Sequence, residues 1–396
     1  MSPHSRQAWF EACRWLRWVP VAVLAGVLLA AGHTAYRAGL KDKPEWPYLR
    51  MMALLEPSES MGGDKMCFGY LPGFAAVVRP FFVNETVGLP LFIAVNLASV
   101  VGIFALLRPW LKIDDGPSAS DAVNRLWRDG VLVSLLVAPA YLAIQNNQIV
   151  APSVFLLLAA WRWIERGRWT WGASLLSLAC LVKSLPLTLV GYLLLTRRFV
   201  TAGLTVAVLG VVSLVACAAL FGVGESWRAH LHFPQSVRMQ EPARALSGEP
   251  PISYNDNQSL AAIIIQSSAM IGEHAAWLLR YGIFAITALV AGGCTWRFGR
   301  ETGYERQTFL MWLAWTVLAA PFGRYYYLLF LVPVWVGDAG LRKLLKRYPW
   351  LVSFPPLLMY SKNEELLIAV FVLSFLASLR PFLVAWQQAR ENKTSR

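Results

Sequence analysis

Apolar runs recur from one end of the chain to the other, each interrupted by a short polar or basic stretch, which is the pattern of helices that cross a bilayer in series. Taking a span as roughly 17–25 apolar residues, with some shorter or broken, about twelve segments emerge: 18–36, 86–107, 130–145, 149–163, 169–183, 186–196, 199–222, 273–296, 307–322, 325–341, 349–361 and 365–386. The expected fold is all-α: a polytopic integral membrane protein, a single membrane domain over 1–396, with short interfacial helices in its longer loops. No internal repeat is visible, and no inverted pair of broken helices of the kind that transporters carry.

The basic residues decide the orientation. With the N-terminus in the cytoplasm, Arg108, Lys112, Arg125 and Arg128, then Arg162, Arg166 and Arg168, and the later clusters at Arg197/Arg198, Arg297/Arg300/Arg306 and Arg342/Lys343/Lys346/Arg347 all fall inside, as the positive-inside rule requires. The two longest polar segments, 37–85 and 223–272, then lie outside, with Gln145–Gln148, Lys183–Pro186, Pro321–Arg324 and Lys362–Glu365. Long loops in a compact protein are commonly functional, so the chemistry is expected on that outer face.

Composition agrees: 57% of residues are hydrophobic, 15% are charged and mean hydropathy is +0.48. The excess of 36 Lys and Arg over 23 Asp and Glu sits in short clusters between spans, which reads as topology rather than nucleic-acid binding. Cys13, Cys67, Cys180, Cys217 and Cys294 form neither a CxxC nor a Cys/His spacing, so neither a disulfide framework nor a metal site is indicated. Arg6, Arg14 and Arg17 precede the first apolar run without an obvious small-residue cleavage site, and that run reads as an uncleaved first span.

Four carboxamides in succession, Gln145-Asn146-Asn147-Gln148, join two apolar runs. Such groups are costly near lipid unless a polar ligand or partner satisfies them. Lys183, three residues before Pro186, and Arg324 in Pro321-Phe-Gly-Arg-Tyr-Tyr-Tyr327 are cations at outer span ends. A lysine beside the start of a new helix, and a bidentate arginine, are suited to holding a phosphate; snorkelling to lipid headgroups is the plainer alternative. The first outer loop carries Asp42, Glu45, Glu56, Glu59 and Asp64 around Trp46, Tyr48 and Arg50, and 45–55 reads as a short interfacial helix with proline in its first turn. Most of these acids read as solvated loop charges. Tyr70 and Pro72 fit a pocket rim, although an aromatic at a membrane interface is common without a ligand. In Tyr254-Asn-Asp-Asn257-Gln258-Ser259 one residue is a candidate helix cap, which does not explain the whole cluster.

Asn146-Asn147-Gln148 ahead of an apolar run ending in Lys183-Ser-Leu-Pro186, then Asn257-Gln258-Ser259-Leu, with Tyr70-Leu-Pro72 opening an apolar helix, resemble the recurrent blocks of glycosyltransferase family 87. The resemblance spans most of the chain, in order. It implies a GT-C-type inverting hexosyltransferase, mannosyltransferase-like, using a polyprenyl-phosphate sugar donor and a lipid or glycan acceptor. It also implies no cofactor or metal, and a place in the plasma membrane, the bacterial inner membrane, with the site facing the periplasm or exterior. The family's first outer loop carries an Asp followed by an aromatic as base; the matching position here is Glu45-Trp46, with Asp42 as the other candidate. The late block, rich in Trp and His after a Pro in the family, reads Pro321-Phe-Gly-Arg324-Tyr-Tyr in this chain. Lys183, Arg324 and Arg50 are then candidates for the donor phosphate, and Tyr70, Asn146, Asn147, Gln148, Asn257 and Gln258 for sugar or acceptor. A transporter or flippase of lipid-linked sugar, or a non-catalytic binding homologue, are the alternatives; the first would place ionisable residues midway through spans rather than at their ends.

Overall fold

The computed structural model describes residues 18–39, 71–111, 120–239, 268–301, 303–320, 325–338 and 364–394, with the single positions 260, 264 and 347. Every regular element among them is helical: α1 (Val19–Gly39), α2 (Phe74–Val78), α3 (Glu85–Leu107), α4 (Ser120–Gln145), α5 (Val150–Glu165), α6 (Trp169–Val182), α7 (Thr188–Leu195), α8 (Phe199–Phe221), α9 (Val223–Met239), α10 (Ser268–Ile271), α11 (Glu273–Phe298), α12 (Glu305–Leu318), α13 (Leu328–Gly337) and α14 (Glu364–Thr394). Short 3-10 turns at Arg79–Phe81, Arg108–Trp110, Leu185–Leu187 and Tyr325–Tyr327 lead into or out of them.

Six of these helices are long and apolar enough to cross a membrane: Val19–Arg37, Thr86–Trp110, Arg125–Gln145, Phe199–Phe221, His274–Phe298 and Leu366–Asn392. The sequence expectation of about twelve spans is therefore met only in part. The runs at 149–163, 169–183, 186–196, 307–322 and 325–341 fold as helices too, but as α5, α6, α7, α12 and α13 they are shorter than a full span; the run at 349–361 lies outside the described residues. Another difference is that the polar segment 223–272 begins with a helix, α9.

Three hairpins close in the same way. After α4, Asn147 N–H bonds Ile144 O (2.9 Å) and Gln148 N–H bonds Ala143 O (2.7 Å), with Asn147 at φ +51°. The paired 5→2 and 6→1 bonds with a left-handed residue are a Schellman cap. Gly167 and Arg168 close α5 identically, and Arg197 (φ +56°) and Arg198 close α7. Glycine at φ +74° is unstrained, whereas asparagine tolerates this region better than arginine does.

Every residue of α13 is buried, so it is the post around which α4, α5, α12 and α14 pack. In contrast, α8 and α11 turn much of their apolar surface outward, including Val206, Val211 and Val215 on the first and Leu278, Ile286 and Leu289 on the second. A helix apolar on all sides is either enclosed by protein or faces lipid, and the bundle contains both kinds. Because lipid competes for apolar surface, helix association in a membrane relies on close approach and polar contacts. A Cβ on Gly172 would come within 2.4 Å of the Ile164 side chain, so glycine lets α6 lie close to α5. Hydroxyls join helices elsewhere: Ser177 Oγ to Thr205 O (2.7 Å), Thr188 Oγ1 to Thr316 Oγ1, and the indoles of Trp312, Trp315 and Trp335 to Thr295, Thr287 and Ser374.

One end of the bundle is rich in arginine, as the charge pattern predicts. There Asp129 accepts two bonds from Arg108, at 2.9 and 2.7 Å, and one from Arg128 at 3.1 Å. Glu165 pairs with Arg162 (3.2 Å) and Arg306 (3.0 Å), and Glu305 with Arg198 (2.8 Å).

Candidate functional site at the opposite face

The end of the bundle away from the arginines is where α4 turns into α5, α6 into α7, and α2 enters from the first long loop. Ser153, one turn into α5, donates to Ala179 O (3.2 Å) near the end of α6. Lys183 N–H donates to that same carbonyl (2.9 Å). The Asn146–Gln148 turn and Lys183 therefore share one end of the α5–α6 hairpin. Two blocks far apart in sequence are thus brought to the same face.

Asn147 is buried, 3% exposed, and its Oδ1 makes no hydrogen bond among the described residues. A buried carbonyl left without a partner costs about 1–3 kcal/mol, which is reason to look for a ligand that supplies one. Gln145, Asn146 and Gln148 are half-buried around it. The residue's place in the cap explains why asparagine occurs here; it does not explain the orphaned oxygen.

Lys183 is half-buried at the C-terminal end of α6, where the helix dipole favours a cation. Its Nζ lies 5.4 Å from the centre of the Tyr327 ring, within the reach of a cation–π contact. Tyr325–Tyr327 form a buried 3-10 turn that packs on α4 and leads directly into α13. The sequence expectation that a helix starts at Pro186 is corrected slightly. Pro186 lies in a 3-10 turn, because its ring fixes φ but removes the N–H, and α7 starts at Thr188.

A third part of this face has no counterpart among the motifs of the sequence. Gly73 N–H donates to Ser213 Oγ (3.0 Å) on α8, Ser213 Oγ meets His230 Nε2 (2.8 Å) on α9, and His230 Nδ1 meets Ser226 O (2.6 Å). Since a carbonyl only accepts, Nδ1 carries the hydrogen; in a neutral imidazole Nε2 then accepts from the serine hydroxyl. Arg79 fastens the same segment a second time, donating to Leu220 O (3.0 Å) and lying 4.8 Å above the Phe221 ring. Pro72, expected on a pocket rim, is instead buried beside Gly73 in the packing of α2 on α8. The signal available in the sequence was a histidine within an amphipathic stretch, which points to an interfacial helix but not to its partners.

Tyr70, Glu45, Asp42, Arg50, Asn257, Gln258 and Arg324 lie outside the described residues. Among the described residues no group of three or more His, Cys, Asp or Glu is arranged to hold a metal.

The architecture is that of an integral membrane protein, all-helical in its described residues, with a polar face at one end of the bundle. The family model for glycosyltransferase family 87 matches residues 68–321, well over half of the chain and including every described part of that face up to α12. The chain belongs to glycosyltransferase family 87, and is accordingly a membrane glycosyltransferase that uses a sugar donor and an acceptor. Neither a curated protein nor a solved structure matches it.

Proposed function

We propose that this enzyme transfers a hexose, mannose, from a polyprenyl-phosphate sugar to a lipid or glycan acceptor, on the non-cytoplasmic face of the plasma membrane. The observation that carries the reading is the meeting of the Asn146–Gln148 turn and Lys183 at one end of the α5–α6 hairpin, within the matched family region. A carboxylate from the first long loop, Glu45 or Asp42, takes the proton of the acceptor hydroxyl as its oxygen attacks the anomeric carbon. The glycosyl–phosphate bond breaks, configuration inverts, and the charge developing on the lipid phosphate is held by Lys183, Arg324 and Arg50. Carboxamides of Asn146, Asn147, Gln148, Asn257 and Gln258, and the Tyr70 ring, contact sugar or acceptor. The orphaned Asn147 Oδ1 suits a sugar hydroxyl, which donates.

The test is transfer of radiolabelled mannose from synthetic polyprenyl-phosphate mannose to extracted membrane lipids by the purified protein, with Glu45→Gln and Asp42→Asn alongside. Labelled product lost in one variant identifies the base. Donor binding without product for any acceptor would replace the transfer reading with that of a binding protein, and no donor binding would reopen transport.

A further inference from the structure

Among the described residues, the arginine-rich end of the bundle holds more guanidinium than carboxylate. Asp129 is shared by Arg108 and Arg128, and Glu165 by Arg162 and Arg306. Two carboxylates thus serve four guanidiniums, and Arg166 adds a fifth, exposed on the turn after α5. Among these described residues three positive charges are left over, around α4 and the adjoining ends of α3, α5 and α12. Between the first two lies a groove of ≈ 280 Å³, with Leu106 and Pro109 on one wall and Arg162, Trp163 and Arg166 on the other. Its lining is mostly apolar, and among the described residues its charged groups are cations only.

We propose that this groove is a binding site for an anionic phospholipid carrying two phosphates, distinct from the sugar-donor site at the other end of the bundle. The two guanidiniums that line the groove, Arg162 and Arg166, match the two phosphates of such a headgroup in number, and a guanidinium fork binds phosphate through paired N–H···O bonds. Basic pockets between membrane helices take such headgroups. The apolar walls favour a lipid over free phosphate, because they offer contact to the glycerol backbone and the first acyl carbons. Trp163, with exposed Trp169 and Trp171 close by in the chain and the Trp171 ring 6.3 Å away, sets the groove at the level of the membrane interface, where indoles gather.

The experiment is native mass spectrometry of the detergent-purified full chain, titrated with diphosphatidylglycerol and, separately, with phosphatidylcholine. Wild type is expected to retain the dianionic lipid preferentially. Arg166→Gln, which leaves both pairs of Glu165 intact, lowers that affinity about fivefold, and with Arg162→Gln about twenty-fivefold, from the attraction of each basic residue to an anionic lipid surface. Arg166→Lys keeps most of the binding, and Arg228→Gln on α9, at the opposite face, leaves it unchanged. Equal retention of the two lipids by wild type, or of diphosphatidylglycerol by wild type and the double variant, overturns the proposal. Displacement of the lipid by millimolar glycerol phosphate overturns it too, since the groove would then be an anion site rather than a lipid site.

Discussion

Replacing Gly73 with alanine isolates the contact between the segment that follows the first long loop and the rest of the bundle. Gly73 has φ −61° and ψ −15°, a conformation that alanine adopts freely, so backbone strain plays no part. The cost is one of contact. An added Cβ would sit 2.5 Å from both Cα and Oγ of Ser213 and 2.8 Å from its Cβ, and a backbone Cα cannot rotate aside as a side-chain end can. The α2 segment must therefore lift off α8, which costs about 1–3 kcal/mol for overpacking, and loses the Gly73–Ser213 hydrogen bond, worth about 0.5–1.5 kcal/mol. Restricting the unfolded chain returns about 0.4–1 kcal/mol, leaving a net loss of about 0.5–4 kcal/mol. Gly26→Ala in α1 is the reference, since nothing lies within 4 Å of its added Cβ; there alanine gains about 0.5–1 kcal/mol. Thermal unfolding in detergent, followed by tryptophan fluorescence and by recovery of monomer on gel filtration, reads the difference. His230→Ala is expected to cost less in the Gly73→Ala background than in wild type, because the chain of bonds is already displaced. If Gly73→Ala melts at or above Gly26→Ala, or if the two losses add fully, the contact does not hold the segment as described.

Asn147→Gly keeps the left-handed turn while removing the amide, so its melting temperature should match wild type while sugar transfer falls; Asn147→Leu should in addition lose about 1–2 kcal/mol of stability from the strained backbone. Equal transfer by the glycine variant and wild type would limit Asn147 to a turn-forming role. Lys183→Met is expected to lower kcat about 10²–10³-fold, with partial recovery in Lys183→Arg; a variant that changes only KM would show that the ammonium binds the ground state alone. Thr188→Val and Thr316→Val, singly and together, should reveal a coupling of about 0.6 kcal/mol in thermal unfolding, the usual scale for a hydrogen bond between membrane helices, and strict additivity would argue that the two hydroxyls do not interact.

Long apolar runs were read well from sequence. Those at 199–222 and 273–296 became α8 and α11 with ends shifted by no more than two residues, because a run of apolar side chains bounded by arginine or glycine leaves little freedom in where a helix starts and stops. The short helices were harder. Nothing in the run before Asp338 says that α13 is ten residues long and fully enclosed, since protein and lipid reward the same side chains. At the candidate site, the carboxamide run and Lys183 stood out by chemistry, but the part of Asn147 in closing α4 is a backbone fact that the polarity of its neighbours obscured. The Gly73–Ser213–His230 chain was beyond reach. It joins residues 140 positions apart, and neither periodicity nor composition records which serine meets which glycine.

The brevity of α6 has a consequence for depth. Both α6 and α8 begin just after an arginine of the charged face, Arg168 and Arg198. At 1.5 Å per residue the 14 residues of α6 rise about 21 Å, while the 23 residues of α8 rise about 35 Å. Lys183 therefore ends up roughly 14 Å beneath the top of its taller neighbour. Ser213, the fifteenth residue of α8, lies at nearly the same height, and Gly73 docks there. The floor of the polar face is thus sunk below the end of α8, whose last two turns stand above it as a wall. For the polyprenyl-phosphate donor proposed above, that depth would let the phosphate meet Lys183 without the chain being lifted out of the hydrocarbon. A water-soluble substrate would have to descend into a pit to reach the same lysine.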